Sequence, residues 1–359
     1  THLTQHQHRY VERADTLVIL VPPSVHSDRT DSLTGRKIFT CYRTWRRRGL
    51  CLLEMFACFL SRRKTHPILL VKSILESPMW ISSHESLKLA VGEAEFTCCE
   101  TNHLGHFGNS SMKCIRPVVE NVLRCLIRAK SKFFILHGAH VPARWMTVLE
   151  HFWVRGLSER HDPDEEVYDR EEKAHAQEDE KETKTNTEAE LLRFKKILNW
   201  DEESYDGEWI DREQVSILSY AACMDNIIAV RAVLKSAKTK LSAKCFSEFI
   251  DVRLHRKGFL YVGIPGLCTA VIAAMVLGSP DVVEVLLENG ANPYITDKNL
   301  NNPLMCACVY GRLENVKFWL NRYRQWDLQY VFFVLDEDCS SLSFHLYSHS
   351  TLNHVCSWL

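Results

Sequence analysis

A repeat of 33 residues within residues 266–320 constrains the fold of this chain more than any other feature. Thr269 and Asn302 stand 33 positions apart, and so do Gly278 and Gly311. Each copy opens with a short run of small and apolar residues and ends in a second apolar run. A period of this size indicates copies of one helical unit that stack side by side, because a single copy cannot bury its apolar face alone.

Local signals divide each copy into two helices. Gly278 and Gly311 follow the first helix of their copies, where we expect a left-handed backbone. The run Ser279-Pro280-Asp281 predicts the start of a second helix, with serine as the cap and proline in the first turn. Gly290 predicts the end of that helix. The residues between these signals that form one apolar face are Val282, Val283, Leu286 and Leu287.

These features resemble the ankyrin repeat. The period of 33, an opening similar to T-P-L-H at residues 302–305, a glycine in the middle of each copy and a V-V-x-x-L-L helix are typical of that family. The resemblance implies a helical solenoid whose hairpin fingers and inner helices bind another protein. Two unrelated helical hairpins are the alternative.

The resemblance also implies which residues contact a partner. Residues 297–302 are then a hairpin finger, with Asn301 near the place where the family usually has glycine. The implied protein-binding residues are Tyr294, Asp297, Asn299 and Asn301.

A third, degenerate copy precedes these two. Asp225 stands at the same offset from Ser216 as Gly278 does from Thr269. Residues 227–234 are the predicted second helix of this copy. The insertion that follows, at 235–258, is of the kind that the loops of solenoids tolerate.

Composition separates the repeats from the rest of the chain. Residues 158–190 are rich in Glu, Asp and Lys and nearly free of apolar side chains, so they cannot bury a core. They are predicted to be a flexible acidic linker, with a charged, solvated helix as the alternative. The predicted domains are an N-terminal domain at 1–157, the linker at 158–190, an ankyrin-type region at 191–343 with units near 216–234, 269–301 and 302–334, and an irregular tail at 344–359.

The N-terminal domain follows an order of strands and helices. Apolar runs at 17–21 and 67–71 predict buried strands, and apolar residues at helical spacing in 50–60 predict a helix between them. This order is typical of parallel sheets with crossover helices. Further predicted elements are helices at 118–129 and 143–154, a strand at 133–136 and a polar loop at 24–40. The predicted fold class is multidomain α/β plus α, with a flavodoxin-like parallel-sheet domain before an ankyrin-type helical solenoid.

The segment Cys51-Leu52-Leu53-Glu54, with the strands on either side of it, loosely resembles the middle of a Toll/interleukin-receptor domain. That family often has W-C-x-x-E-L here, and Leu50 stands in place of the tryptophan. The resemblance implies that Glu54 is the catalytic residue of an NAD hydrolase. It also implies that the domain is truncated, with its opening strand before Thr1, which is not a methionine. The structural alternative is that the helix dipole favours a glutamate in the first turn.

A second candidate site combines thiols and imidazoles. Cys99, His103, His106 and Cys114 provide two of each, which is a ligand set that zinc prefers. Their spacing, C-x3-H-x2-H-x7-C, is not that of a common zinc finger. A reduced cysteine is also an ordinary buried residue, so a site without metal is the alternative.

Composition narrows the class of protein. The net charge of −1 argues against a dedicated nucleic-acid binder. The 14 cysteines form no disulfide framework and indicate reduced thiols, as in the cytoplasm or the nucleus. No apolar run reaches the length of a membrane span, and no secretory signal opens the sequence. We therefore expect an adaptor that binds a protein through its repeats; the alternative is a Toll/interleukin-receptor-like NAD hydrolase regulated by them.

Overall fold

The chain forms two compact units, Thr1–His161 and Asp162–Leu359. The computed structural model describes residues 14–30, 37–61, 67–81, 89–100, 114–157, 180–200, 209–211, 214–255 and 266–326. Within these ranges, no helix combines the length and the apolar character that a membrane span requires.

The described strands of the N-terminal unit form a three-stranded mixed sheet and a separate two-stranded sheet. The strands are β1 (Leu17–Leu20), β2 (Ser24–Thr30), β3 (Lys37–Thr40), β4 (Ile68–Val71) and β5 (Met79–Ile81). β1 pairs in parallel with β4, and β4 pairs antiparallel with β5. The strands predicted at 17–21 and 67–71 and their parallel pairing are confirmed. The loop predicted at 24–40 is wrong, because these residues include the antiparallel hairpin of β2 and β3.

One face of this sheet is packed and the other is open. Ile19 and Ile68 are 2% and 0% exposed, whereas Val18 and Leu20 are 50% and 67% exposed. A flavodoxin-like fold buries both faces of a parallel sheet under helices. For the described residues, the flavodoxin-like prediction is therefore corrected to a three-stranded mixed sheet in a mostly helical unit.

Helices form most of the remaining described part of this unit. They are α1 (Tyr42–Arg46), α2 (Gly49–Phe59), α3 (Thr97–Glu100), α4 (Arg116–Leu136) and α5 (His140–Val154). The helices predicted at 50–60, 118–129 and 143–154 are confirmed. The strand predicted at 133–136 is wrong, because these residues form the last turn of α4. A short apolar run is compatible with a helix as well as with a strand. α4 packs against α5. The rings of Trp153 on α5 and Phe56 on α2 meet edge to face, with their centres 5.2 Å apart.

The C-terminal unit is helical in its described part. Its helices are α6 (Glu180–Ile197), α7 (Ile217–Cys223), α8 (Ile227–Lys240), α9 (Ala243–Ile250), α10 (Ala270–Leu277), α11 (Pro280–Glu288), α12 (Pro303–Val309) and α13 (Leu313–Arg322). Three successive pairs are α7 with α8, α10 with α11, and α12 with α13. The first helix of each pair packs against the first helix of the next pair, and the second helices do the same. The helix predicted at 227–234 is confirmed, but the insertion at 235–258 is largely helical in its described part, because α8 runs on and α9 follows it.

Each pair begins with a capped helix at an equivalent position. The side chains of Ser216, Thr269 and Asn302 accept a hydrogen bond from the backbone N–H three residues later, at 3.1, 3.5 and 2.9 Å. Such a bond satisfies one of the N–H groups that the first turn of a helix leaves without a partner. The same cap at the start of each pair shows that the degenerate copy at Ser216 is built like the other two.

The turns inside the pairs differ in backbone conformation. Asp225 and Gly311 are left-handed, with φ of 55° and 65°. Gly278 has φ of −91°, so the prediction that it is left-handed is wrong. A Cβ atom there would lie 2.9 Å from the carbonyl oxygen of Ala222. Glycine is therefore needed at this position for the close approach of two backbones.

α6 covers the start of this row of helix pairs. Leu191, Phe194 and Leu198 of the α6 segment are buried, and α6 packs against α8. Residues 180–190 belong to this helix, so the flexible linker predicted at 158–190 does not extend over them. Residues 158–179 and the tail predicted at 344–359 lie outside the described residues.

Candidate protein-binding groove and thiol cluster

One buried carboxylate organises the finger at 297–302. Asp297 is 2% exposed, and its Oδ1 accepts hydrogen bonds from the backbone N–H groups of Asn299 and Asn301, at 2.7 and 2.9 Å. Its Oδ2 accepts a third bond from the Asn301 side chain at 3.1 Å. Asp297 therefore shapes the finger from inside, which corrects the prediction that it is an exposed contact residue.

The tip of the finger carries an exposed leucine in a left-handed conformation. Leu300 has φ of 65° and is 77% exposed. The sequence placed the glycine-like position at Asn301, one residue later. A left-handed backbone costs a residue with a Cβ atom about 1–2 kcal/mol, so the fold holds Leu300 here at some expense.

Three of the predicted binding residues line one groove, which we call the finger groove. They are Tyr294, Asn299 and Asn301, and the groove has a volume of about 1470 Å³. The other residues that line it are Thr296, Leu300, Asn302, Met305, Val309 and residues 321–326. The groove thus joins the finger to α12 and to the end of α13.

Aromatic side chains line one wall of the finger groove, namely Tyr294, Tyr323 and Trp326, and they pack over buried Trp319. The ring of Trp326 stacks on Tyr294 with a centroid distance of 5.0 Å and an angle of 8° between the planes. The ring centres of Trp319 and Tyr323 lie 5.2 and 5.3 Å from the ring centre of Trp326. Sequence reasoning missed Trp326 and Leu300. Trp319, Tyr323 and Trp326 recur at helical spacing, which indicates one aromatic face and could have pointed to Trp326.

The charged side chains that line the finger groove are all positive. Arg322 and Arg324 belong to the lining, which contains no aspartate or glutamate among its described residues. Arg322 lies 3.4 Å from Glu284 on the neighbouring helix pair, in an exposed ion pair. The groove therefore presents apolar and aromatic surface beside guanidinium groups.

Glu54, the predicted catalytic residue, lies in the second turn of α2 and not in the first, since the helix begins at Gly49. It is half-buried, and burial raises the pKa of its carboxyl group. Burial, with a further contribution from the Glu54 charge, also raises the pKa of Cys51 to about 11 and that of Cys58 to about 12. A carboxyl group with a raised pKa occurs at catalytic and structural sites alike. The NAD-hydrolase role of Glu54 stays a prediction.

Three cysteine sulfurs of the N-terminal unit form a cluster, which we call the thiol cluster. Cys98 and Cys99 belong to α3, and Cys114 lies two residues before the start of α4. The Sγ atom of Cys99 lies 3.8 Å from that of Cys98 and 3.8 Å from that of Cys114, and all three lie within 4.8 Å of one another. The structure thus brings together Cys99 and Cys114 of the predicted zinc set and adds Cys98. His103 and His106 lie outside the described residues.

Arg116, at the start of α4, borders the thiol cluster. Its Nε donates to Cys99 Sγ at 3.3 Å, and its Nη1 donates to the carbonyl oxygens of Gly92, at 2.9 Å, and Gly156. Its guanidinium carbon also lies 4.7 Å from the centre of the Phe96 ring. Arg116 therefore holds a fixed positive charge next to one sulfur.

This arrangement gives the sulfurs different acidities. Burial acts to raise the pKa of the Cys99 thiol, but hydrogen bonds from Arg116, Cys114 and Cys98 and the charge of Arg116 outweigh it, so that pKa is lowered. Burial raises the pKa of Cys114, and its interactions with Cys99 and Cys98 raise it further. The Cys99 thiol therefore loses its proton more readily than the Cys114 thiol.

A family match lies in the C-terminal unit. Residues 255–329 match the family model described as ankyrin repeats, in three copies. The helix pairs α10–α11 and α12–α13 lie inside this match, and the finger groove does as well. No curated protein matches the chain. The C-terminal ankyrin prediction is confirmed, and residues 255–329 are an ankyrin-repeat region.

Proposed function

We propose that the chain is an adaptor whose finger groove binds a segment of a partner protein. Ankyrin repeats are protein–protein interaction modules, and the groove lies within the matched repeats. The proposed contacts are Tyr294, Asn299 and Asn301 from the sequence prediction, together with Leu300. The row of packed helix pairs supports a short solenoid as the scaffold for these contacts.

Leu300 is the observation that carries this proposal. Its side chain is 77% exposed, so it contributes little to the apolar core, and its left-handed backbone is unfavourable for leucine. Backbone strain of this kind is concentrated at functional sites, so we infer that Leu300 contacts another molecule. Tyr294, 71% exposed, extends the same apolar surface.

The side chains of the finger groove define the chemistry of the partner. Apolar and aromatic surface favours a partner segment with a large apolar anchor residue. Arg322 and Arg324 favour acidic residues beside that anchor, because like charges at an interface are unfavourable. The partner is therefore a protein segment in which an apolar or aromatic side chain is flanked by aspartate or glutamate.

The thiols support a reducing compartment for this adaptor. The cysteines of the described residues form no disulfide, and Cys41, Cys125 and Cys245 are exposed. Exposed thiols persist in the cytoplasm and the nucleus and are oxidised in secreted proteins. The proposed location is therefore cytoplasmic or nuclear.

Photo-crosslinking followed by titration tests the proposal. The full chain carries a photoreactive phenylalanine analogue at position 294, and the protein that crosslinks to it is identified and produced separately. Its affinity for the full chain is then measured with Leu300→Ala. Because a fully buried leucine contributes about 1.5–3 kcal/mol, we expect Kd to rise roughly 10- to 100-fold.

Leu192→Ala is the matched control for this titration. Leu192 is also an exposed leucine of the C-terminal unit, at 67%, but it lies on α6 and outside the lining of the groove. We expect its replacement to leave the affinity unchanged. Equal affinities for Leu300→Ala and the parent chain would exclude the finger groove as the binding site.

A further inference from the structure

We propose that Cys98, Cys99 and Cys114 bind one zinc ion through three thiolate ligands. The proposal concerns the N-terminal unit and does not depend on the protein-binding role of the finger groove. It retains Cys99 and Cys114 from the sequence prediction, adds Cys98, and rests on these sulfur atoms alone.

Two of the three distances between the sulfurs fit tetrahedral zinc. A Zn–S bond of about 2.3 Å places two sulfur ligands of a tetrahedron about 3.8 Å apart. Cys99 Sγ lies 3.8 Å from Cys98 Sγ and 3.8 Å from Cys114 Sγ, and the third pair lies within 4.8 Å. A disulfide requires about 2.05 Å, so the three sulfurs are not bonded to one another.

Arg116 supplies the charge that a site of this kind needs. Three thiolates and one Zn²⁺ carry a net negative charge, and the Arg116 guanidinium lies 3.3 Å from Cys99 Sγ. Its bonds to the carbonyl oxygens of Gly92 and Gly156 fix the direction in which it points. Partners that hydrogen-bond the ligands orient them and tune the metal, and Arg116 is such a positioning residue.

The ligands come from two elements that the ion would hold together. Cys98 and Cys99 lie on the short helix α3, and Cys114 lies two residues before the start of α4. A four-residue helix such as α3 has little stability of its own. Bound zinc would fix α3 against the start of α4. Three protein ligands leave one coordination position for water or another donor.

Metal analysis of the full chain tests the proposal. After saturation with Zn²⁺ and removal of unbound metal, we expect about one zinc per chain in the parent protein and in Cys125→Ser. Cys125 is a matched control because it is an exposed cysteine of α4. Cys114→Ser should lose the ion. A parent chain without zinc, or a Cys114→Ser variant that keeps it, would overturn the assignment.

Alkylation of the parent chain tests the same site without a variant that might fail to fold. Iodoacetamide should modify Cys98, Cys99 and Cys114 slowly in the zinc-loaded protein and rapidly after a chelator has removed the metal. Mass spectrometry of the peptides reports each rate, and Cys125 should react equally in both samples. Equal rates at the three cysteines with and without zinc would show that they do not bind it.

Discussion

Leu300 affects stability and binding in opposite directions. Its backbone has φ of 65°, which glycine adopts without strain, and its side chain is exposed. We expect Leu300→Gly to raise the free energy of unfolding by about 0.5–1 kcal/mol, since the relief of about 1–2 kcal/mol is partly offset by the flexibility of unfolded glycine. Urea denaturation of the full chain measures this change.

The matched control for that stability prediction is Asn299→Gly. Asn299 is a neighbouring exposed residue of the finger, and its φ is negative. Glycine there relieves no strain, so we expect a small loss of stability. A loss of similar size in both variants would show that the conformation of Leu300 carries no strain.

Glu54 has a stability effect that depends on pH. Burial raises its pKa in the folded chain, so folding disfavours its charged form. The resulting loss of stability is absent below 4.5, the ordinary pKa, and develops fully above the raised value. We expect Glu54→Gln to raise the melting temperature at pH 7, with an advantage over the parent chain that shrinks as the pH falls toward 4.5.

Glu76→Gln is the control, because Glu76 is exposed and a surface substitution usually changes stability by less than about 0.5 kcal/mol. A lower melting temperature for Glu54→Gln at pH 7 would contradict the assignment of burial as the cause. Nicotinamide release from NAD by the parent chain, lost in Glu54→Gln, would support the hydrolase interpretation instead.

The helix pairs are joined by polar side chains that cross from one pair to the next. Asn315 of α13 is buried, and its Nδ2 donates to the carbonyl oxygens of Ala274, Met275 and Gly278, at 3.2, 3.0 and 3.0 Å. These carbonyls are at the end of α10, where a helix leaves acceptors without partners. One amide group thus closes the end of a helix in the preceding pair.

We expect Asn315→Ala to lower the free energy of unfolding by about 1–3 kcal/mol, because these bonds are lost in a buried place. Lys317→Ala, on the same helix but exposed, should change it by less than about 0.5 kcal/mol. Both values follow from urea denaturation of the full chain. Similar values for the two variants would mean that the Asn315 amide does not join the pairs.

At the level of elements, local chemistry was predictable and long-range contact was not. Ser279-Pro280-Asp281 correctly predicted the start of α11, because a helix start is set within a few residues, although the Ser279 side chain makes no cap hydrogen bond. Gly278 was assigned the wrong backbone, because its constraint comes from Ala222, which is distant in sequence. The strand predicted at 133–136 was wrong because a short apolar run does not distinguish a strand from the end of a helix.

In the candidate sites, too, residues placed by local structure were predictable and residues placed by long-range contacts were not. Tyr294, Asn299 and Asn301 could be predicted because a finger is a local structure that follows from the repeat. The stacking of Trp326 on Tyr294 could not, because it depends on how α13 ends, although the spacing of Trp319, Tyr323 and Trp326 indicated an aromatic face. Cys98 was left out because spacing in sequence does not show that the sulfurs of two adjacent cysteines both lie within 4.8 Å of Cys114 Sγ.

For the whole C-terminal unit, α6 covers the first helix pair of the row, because it packs against α8. Phe194 of α6 is 2% exposed, and its neighbour Leu192 is 67% exposed. We expect Phe194→Ala to lower the free energy of unfolding by about 3–5 kcal/mol and Leu192→Ala by less than about 0.5 kcal/mol. Thermal and urea unfolding of the full chain compare the two, and a small effect of Phe194→Ala would show that α6 is not needed as a cover.

The place of the finger groove couples binding to the stability of the repeats. The groove joins the finger to α12 and to the end of α13, so a bound partner contacts both helices of this pair. Helix pairs in a row are stabilised mainly by their neighbours, and α12–α13 packs against α10–α11. We therefore expect a bound partner to slow amide hydrogen exchange in α12 and α13, and less so in α7 and α8, which α10–α11 separates from the groove. A bound partner then acts as one more neighbour in the row, so recognition also stabilises the repeats.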